Sequence, residues 1–251
     1  MPADLASALA HKLTRFADLG PLELAALAQL EANPQRLPAG TELVREHQTG
    51  QLAYILQDGW ACSYKLLADG GRQVIDFPIP SDVIGLRSLL LRTADHNFSA
   101  VTNIVVAEVS SQQLMHMLDQ LPRLAAGLLW GASRDEAVVV EHLVNIGRRG
   151  ALERTAHFLI ETGLRLELAG LDSADSYTCP LSQYQLADTL GMTAIYINRI
   201  LRQLRERGLV TFRHSQVTIH DRFELAALAG YHGAYLDQSQ GWAQFRLPGS
   251  R

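Results

Sequence analysis

The stretch LSQYQLADTLGMTAIYINRILRQL, residues 181–204, constrains this chain more than any other. Ser182 followed three residues later by Gln185 is a capping box, so a helix starts there. Leu186, Ala187 and Leu190 give that helix one apolar face. Gly191 ends it by supplying the left-handed residue that L side chains resist. Thr193 caps a second helix only two residues on, and Ile197, Ile200, Leu201 and Leu204 line its inner side. A short helix, a glycine turn and a second helix crossing it is helix–turn–helix spacing.

The outer face of the second helix carries Ile195, Asn198, Arg199 and Arg202. Arg pairs bidentately with guanine and Asn with adenine, while Ile195 suits a thymine methyl. Thr193 and Tyr196 lie at the helix N-terminus, where hydroxyls and backbone N–H groups hold phosphate. Arg205, Arg207 and Arg213 are expected to add phosphate contacts. After Gly208, Leu209–Arg213 and Gln216–His220 alternate like two strands around His214-Ser215, a β wing. The residue set 193–216 holds five arginines against one acid, Glu206. Double-stranded DNA is the expected partner.

The chain ahead of this segment is built differently. Residues 1–144 carry 10 Lys/Arg against 16 Asp/Glu, a balance of −6, whereas 145–251 carry 12 against 10. An acidic front joined to a locally basic back fits a regulatory half coupled to an anion-binding half. Residues 4–32 read as helix, broken at Gly20-Pro21. From 35 to 110, glycines punctuate strand-like runs (Leu52–Leu56, Ala61–Leu67, Val74–Phe77, Ile104–Val109), the pattern of a β-barrel, roll or sandwich. Asp69-Gly70-Gly71 is a hairpin turn. Ser111 is read as the cap of a short helix with Leu114, Met117 and Leu118. After Pro122 a long helix is apolar on more than one side (Leu128, Leu129, Trp130; Val138, Val139, Val140), so it needs partners on more than one side. A second copy of the same helix is the expected second partner, giving a homodimer. Gly147-Arg148-Arg149-Gly150 is taken to interrupt it. Ala151–Leu168 is a further helix with core positions Leu152, Ala156, Leu159, Ile160 and Leu164, and 169–176 is a polar loop.

The expected division is therefore 1–34 N-terminal helices, 35–118 β domain, 119–147 long helix and hinge, 148–235 winged helix, and 236–251 a loosely held tail. The class is α+β. No apolar run reaches the ~18 residues of a membrane span, so no membrane association is expected and the cytoplasm is the expected compartment. Cys62 and Cys179 are too few for a disulfide framework, a four-thiol zinc site or a cysteine-ligated iron–sulfur cluster. No metal site is expected. Cys62 reads as a half-buried strand residue. Cys179, just ahead of the DNA-binding helices, is a candidate redox residue if its thiolate is exposed. No phosphate-binding loop, nucleophile elbow, zinc-protease or dinucleotide fingerprint occurs, so an enzyme is not expected.

At this point the sequence resembles the Crp/Fnr family of bacterial transcription regulators. The most specific stretch is LSQYQLADTLGMTAIYINRILRQLRERGLV (181–210), supported by LPAG (37–40), AYILQDG (53–59) and PSDVIG (80–85). The resemblance implies a cyclic-nucleotide-binding-like double-stranded β-roll, a long dimerisation helix and a winged helix–turn–helix. It further implies a homodimer reading a palindromic DNA site and contacting RNA polymerase, with a signal sensed in the roll. Cyclic-AMP-binding members carry a glutamate for a ribose hydroxyl and an arginine for the cyclic phosphate. Here the corresponding stretches read Gly85-Leu86-Arg87-Ser88 and His96-Asn97-Phe98-Ser99-Ala100. No glutamate is present in the first, and Phe98 stands where the arginine would align. Losing two charge-matched contacts costs several kcal/mol at ~1.5–3 kcal/mol each, so cyclic AMP is not the expected ligand. Gly85, Leu86, Arg87, Ser88, Phe98 and Ser99 remain the candidate effector pocket for some other molecule.

The recognition helix departs from the best-known members too. Ile195 and Ala194 replace a glutamate and a leading arginine, and only Arg199 keeps its place, so a different DNA motif is expected. No cofactor is assigned. Haem stays open through the nine histidines, none of which stands out; His116 and His142 read as ordinary helix residues. Two readings follow: a dimeric DNA-binding regulator, and an effector-binding sensor (haem, redox or another ligand) whose helix–turn–helix serves protein contacts.

Overall fold

The structure is a computed structural model that describes residues 7–50, 52–91 and 93–236. Two short helices open it, α1 (Ala8–Thr14) and α2 (Pro21–Leu30). The strands β1 (Pro34–Leu37), β2 (Glu42–Val44), β3 (Ala53–Asp58), β4 (Ala61–Leu66), β5 (Arg72–Asp76), β6 (Val83–Ile84), β7 (Asn97–Ala100) and β8 (Ile104–Val109) follow, with α3 (Leu86–Leu90) between β6 and β7. They form two antiparallel four-stranded sheets, ordered β1-β8-β3-β6 and β2-β7-β4-β5. The expected hairpin is present: Gly70 has φ +84°, and the Asp69 carboxylate accepts from the Gly71 amide between β4 and β5.

Strand alternation sends side chains to opposite faces of each sheet. Leu43, Val44, Leu56, Ala61, Ile84, Phe98, Ala100, Ile104 and Val106 meet between the sheets as the interior of the roll. The outward side chains are covered as well. Ala53, Ile55, Ala107 and Val109 of the first sheet pack against α1, α2 and the helices α4 (Ser111–Gln120) and α5 (Pro122–Arg148). Cys62, Tyr64 and Val74 of the second sheet pack against the C-terminal domain. That covering corrects the half-buried reading of Cys62, which is fully enclosed. Burial pushes its thiol up to about 12.

Two boundaries move. Ser110, not Ser111, caps α4: its hydroxyl accepts from the Gln113 amide, and the Gln113 side chain accepts from the Ser110 amide. A serine at either position satisfies the local pattern, but only Ser110 has a glutamine three residues on. Gly147 stays helical, and α5 runs on to Arg148 before Arg149 adopts extended backbone. Then α6 (Ala151–Leu168) begins, with the Glu153 carboxylate accepting from the Gly150 amide.

The C-terminal domain continues with β9 (Ser176–Thr178), α7 (Gln183–Leu190), α8 (Ala194–Glu206), β10 (Val210–Arg213), β11 (Gln216–Ile219) and α9 (Arg222–Ala229). Its sheet has the order β10-β11-β9. The expected polar loop thus ends in a strand, β9, that completes the wing. The loop lies tightly on α6, where a Cβ on Gly163 would stand 2.3 Å from the Ala174 carbonyl oxygen. The expected tail lies outside the described residues beyond Leu236. No helix among the described residues is long and apolar enough to cross a membrane.

Candidate nucleic-acid interface and sensor roll

The helix–turn–helix forms where its caps predict. The Ser182 hydroxyl accepts from the Gln185 amide, and Gly191 closes α7 at φ +60°. The Thr193 hydroxyl accepts from the Tyr196 amide at 3.3 Å and opens α8. That bond uses an acceptor lone pair and leaves the hydroxyl proton free to donate. Leu186, Leu190, Ile197, Ile200 and Leu204 are buried together with Leu159 and Ile160 of α6, which fixes the angle between α7 and α8.

This packing turns the opposite face of α8 to solvent. Ile195 is 85% exposed, and Tyr196, Asn198, Arg199, Arg202 and Arg205 are exposed around it. An isoleucine this open on a helix whose other face is core is out of place unless something covers it. Arg202 pairs with Glu206 at 2.7 Å, so its charge is partly matched. Arg199, Arg205 and Arg213 make no ion pair with a described residue. Arg213 ends β10 beside the wing tip, where His214 and Ser215 have φ +50° and +60°, a two-residue turn with both central residues left-handed.

One contact on this face has no signal in the helical spacing. The Gln183 side chain, at the first position of α7, donates from Nε2 to Asn198 Oδ1 at 2.6 Å, and Asn198 Nδ2 donates back to Gln183 Oε1. Asn198 therefore faces outward as expected, but its amide is already partnered.

The candidate effector residues do not converge in the same way. Gly85 is left-handed at φ +74° and opens the short α3. Leu86 packs with the N-terminal helices, whereas Phe98 lies inside the roll among Val44, Ala61 and Ile84. Arg87 points outward and pairs with Asp95 at 2.6 Å. Ser88 is buried and its amide donates to the Gly85 carbonyl. Ser99 lies in β7 opposite Glu42 and Cys62. The His96 ring lies tilted against Phe98 with centroids 4.5 Å apart and is held by Asp95. Cys179 is fully buried, and enclosure pushes its thiol up to about 12, so the exposure that a redox role requires is absent. Its amide donates to the Ser215 carbonyl at the wing tip, which is a structural task.

Sequence reasoning missed a buried ionic cluster where the roll meets the C-terminal domain. Arg165 of α6 grips Asp76 of β5 through both terminal nitrogens, at 2.7 and 3.0 Å, and reaches Asp82 at 2.9 Å. Asp82 also accepts from Lys12 of α1 at 2.6 Å and from the Ile79 amide, with Arg134 of α5 3.6 Å away. Burial alone would raise the Asp82 carboxyl, but Lys12, Arg165 and Arg134 together hold it well below the usual range. One carboxylate thus ties together the N-terminal helix, the roll, the long helix and the DNA-binding domain. Arg72 of β5 adds a half-exposed bond to Asp188 of α7 at 2.7 Å. The available signal was the Ser81-Asp82 pair set in the otherwise apolar stretch from Phe77 to Ile84.

The fold and this face define a class: a β-roll domain carrying a winged helix–turn–helix, the architecture of a DNA-binding transcription regulator. Residues 34–121 match the cyclic nucleotide-binding domain family, and residues 153–228 match the Crp-like helix-turn-helix domain family. The nitrogen fixation regulation protein FixK of Bradyrhizobium diazoefficiens is 29% identical over 213 residues, covering 83% of this chain and 87% of that one. The transcriptional activator protein anr of Pseudomonas aeruginosa is 24% identical over 208 residues, covering 83% and 85%. The solved structure of FixK2 from Bradyrhizobium japonicum superposes with a TM-score of 0.71 at 27% identity, over 80% of this chain and 98% of that one. The chain belongs to the Crp/Fnr family of bacterial transcription regulators.

Proposed function

We propose that the protein acts as a homodimer that reads a two-fold-symmetric DNA site, with α8 of each copy in the major groove. The exposed face of α8 carries this reading. Arg199, central and without an ion pair to any described residue, is assigned to a guanine, with Ile195 beside a thymine methyl and Thr193, Tyr196, Arg202, Arg205 and Arg213 on flanking phosphates or base edges. The dimer reading is supported by α5. Leu124, Gly127, Gly131, Val138 and Asn145 are buried in their own chain, while Leu129, Val139, Val140, Leu143 and Val144 are exposed along the other side. Leu129 and Leu143 lie two heptads apart with Val139 and Val140 between them, so one exposed stripe of the helix is apolar and suits packing against a second copy. The site lies in the cytoplasm with the DNA, and the regulator contacts RNA polymerase there.

The roll is proposed not to use cyclic AMP. Phe98 lies in the roll interior and Arg87 is turned outward onto Asp95, so neither of these two residues offers a cation to a cyclic phosphate. Selection from a random duplex pool, with no ligand added, tests the whole reading. The expected result is an enriched palindrome with half-sites about one helical turn apart. Leu143→Glu is expected to abolish that enrichment and to shift the protein to a monomer in sedimentation. A dimer that survives Leu143→Glu moves the interface elsewhere. A folded dimer that enriches nothing means either that a ligand or redox signal is missing or that the helix–turn–helix serves protein contacts.

A further inference from the structure

The Gln183–Asn198 pair has a consequence for base readout. A carboxamide offers one edge on which its oxygen and one N–H lie side by side; its second lone pair and second N–H point elsewhere. Two-bond recognition of adenine uses that side-by-side edge, accepting from N6 and donating to N7. The reciprocal bonds between Gln183 and Asn198 close a ring on the same edge of each amide. Both side chains are exposed, and they come from different helices, fifteen residues apart in sequence, so the pair is set by the crossing of α7 and α8.

We infer that Gln183 is a specificity-determining residue. It occupies the adenine-reading edge of Asn198 and limits that side chain to single contacts through its outer N–H or its second lone pair. Asn198 then tolerates several base pairs at its position, and Arg199 beside it carries the discrimination. Gln183 acts through Asn198 and is a positioning residue. This assignment rests on the proposal that α8 reads base edges.

The test is a base-by-base affinity profile across one half-site of the selected palindrome for the wild type, Gln183→Ala, Asn198→Ala and the double variant. Gln183→Ala is expected to gain a preference of about tenfold for adenine at a single position, within the range of one bidentate contact. The double variant is expected to lose it. Gln183 is exposed, so the thermal midpoint is expected to stay close to that of the wild type. An adenine preference already present in the wild type, erased by Asn198→Ala and untouched by Gln183→Ala, overturns the assignment. A uniform loss on all duplexes overturns it too, leaving Gln183 a phosphate contact. A wild-type protein that selects no sequence removes base readout itself; one that selects a site but shows no Gln183 effect removes only this inference.

Discussion

At the junction of the roll and the winged helix, Arg134 and Arg165 are almost fully buried; both face Asp82 together with Lys12, and Arg165 also holds Asp76. Along α8, Arg199, Arg202 and Arg205 stand in solvent, with Glu206 as the one acid in the 193–216 segment. The residue type is the same in both places, and the supply of carboxylates differs. A buried guanidinium without a counter-charge is prohibitively costly, so each one at the junction is within reach of an aspartate. An exposed guanidinium costs little and stays available to phosphates and guanine. The first set holds domains together within one chain, and the second is open to a polyanion outside it.

The strongest way to break this comparison is at Asp82. Asp82→Ala strands Lys12, part of Arg165 and the nearby Arg134 in the interior, so unfolding stability is expected to fall by ~3–5 kcal/mol in denaturant titration. A loss below ~1 kcal/mol would mean that water already reaches the cluster. On α8 the expectation reverses. Arg199→Ala is expected to cost ~1–3 kcal/mol on the selected site and to relax its base preference. Stability should change by less than ~0.5 kcal/mol. Equal loss on random DNA would make Arg199 a phosphate contact.

The smallest net effect concerns two titrating groups of α6. Burial pushes the Glu161 carboxyl up to about 7, against the pull of Arg165 and the donated bond from the Tyr235 hydroxyl. Burial, reinforced by Arg149, pushes the His157 imidazole down to about 4, although Glu141 lies beside it. Between pH 4.5 and 7 the folded state holds a proton on Glu161 that the unfolded chain has released, so this group lowers stability as pH rises. Between pH 4 and 6.5 the unfolded chain holds a proton on His157 that the folded state lacks, so this group raises stability as pH rises. The two trends oppose each other over the shared window. Glu161→Gln is expected to unmask the His157 trend, so that thermal stability relative to wild type climbs from pH 4.5 to 6.5. A pH-independent difference between the two proteins would remove Glu161 from the balance.

Local chemistry made much of this molecule legible in its sequence. The Ser182–Gln185 box, Gly191 and Thr193 each act within one turn of backbone, and they place α7 and α8 without help from the rest of the chain. The Asp69-Gly70-Gly71 turn and the helix Ala151–Leu168 are local in the same sense. The outward face of α8 followed from helical period alone. Strands too short to show alternation were not legible: β2 has three residues, β6 has two, and β9 exists because the wing strand β11 pairs with it.

What only the tertiary structure decided is which distant groups meet. Sequence reads Cys62 as a half-buried strand residue and Cys179 as a candidate redox thiol, but packing by other elements encloses both and pushes their thiols up to about 12. Arg165 and Asp82 are 83 residues apart, and no periodicity links them. Gln183 and Asn198 each obey their own helix, yet the crossing of α7 and α8 brings the two amides together. Caps and periods are set by neighbours along the chain, and sequence displays neighbours. Charge pairing, burial and amide orientation are set by neighbours in space, and those come into being only when the chain has packed.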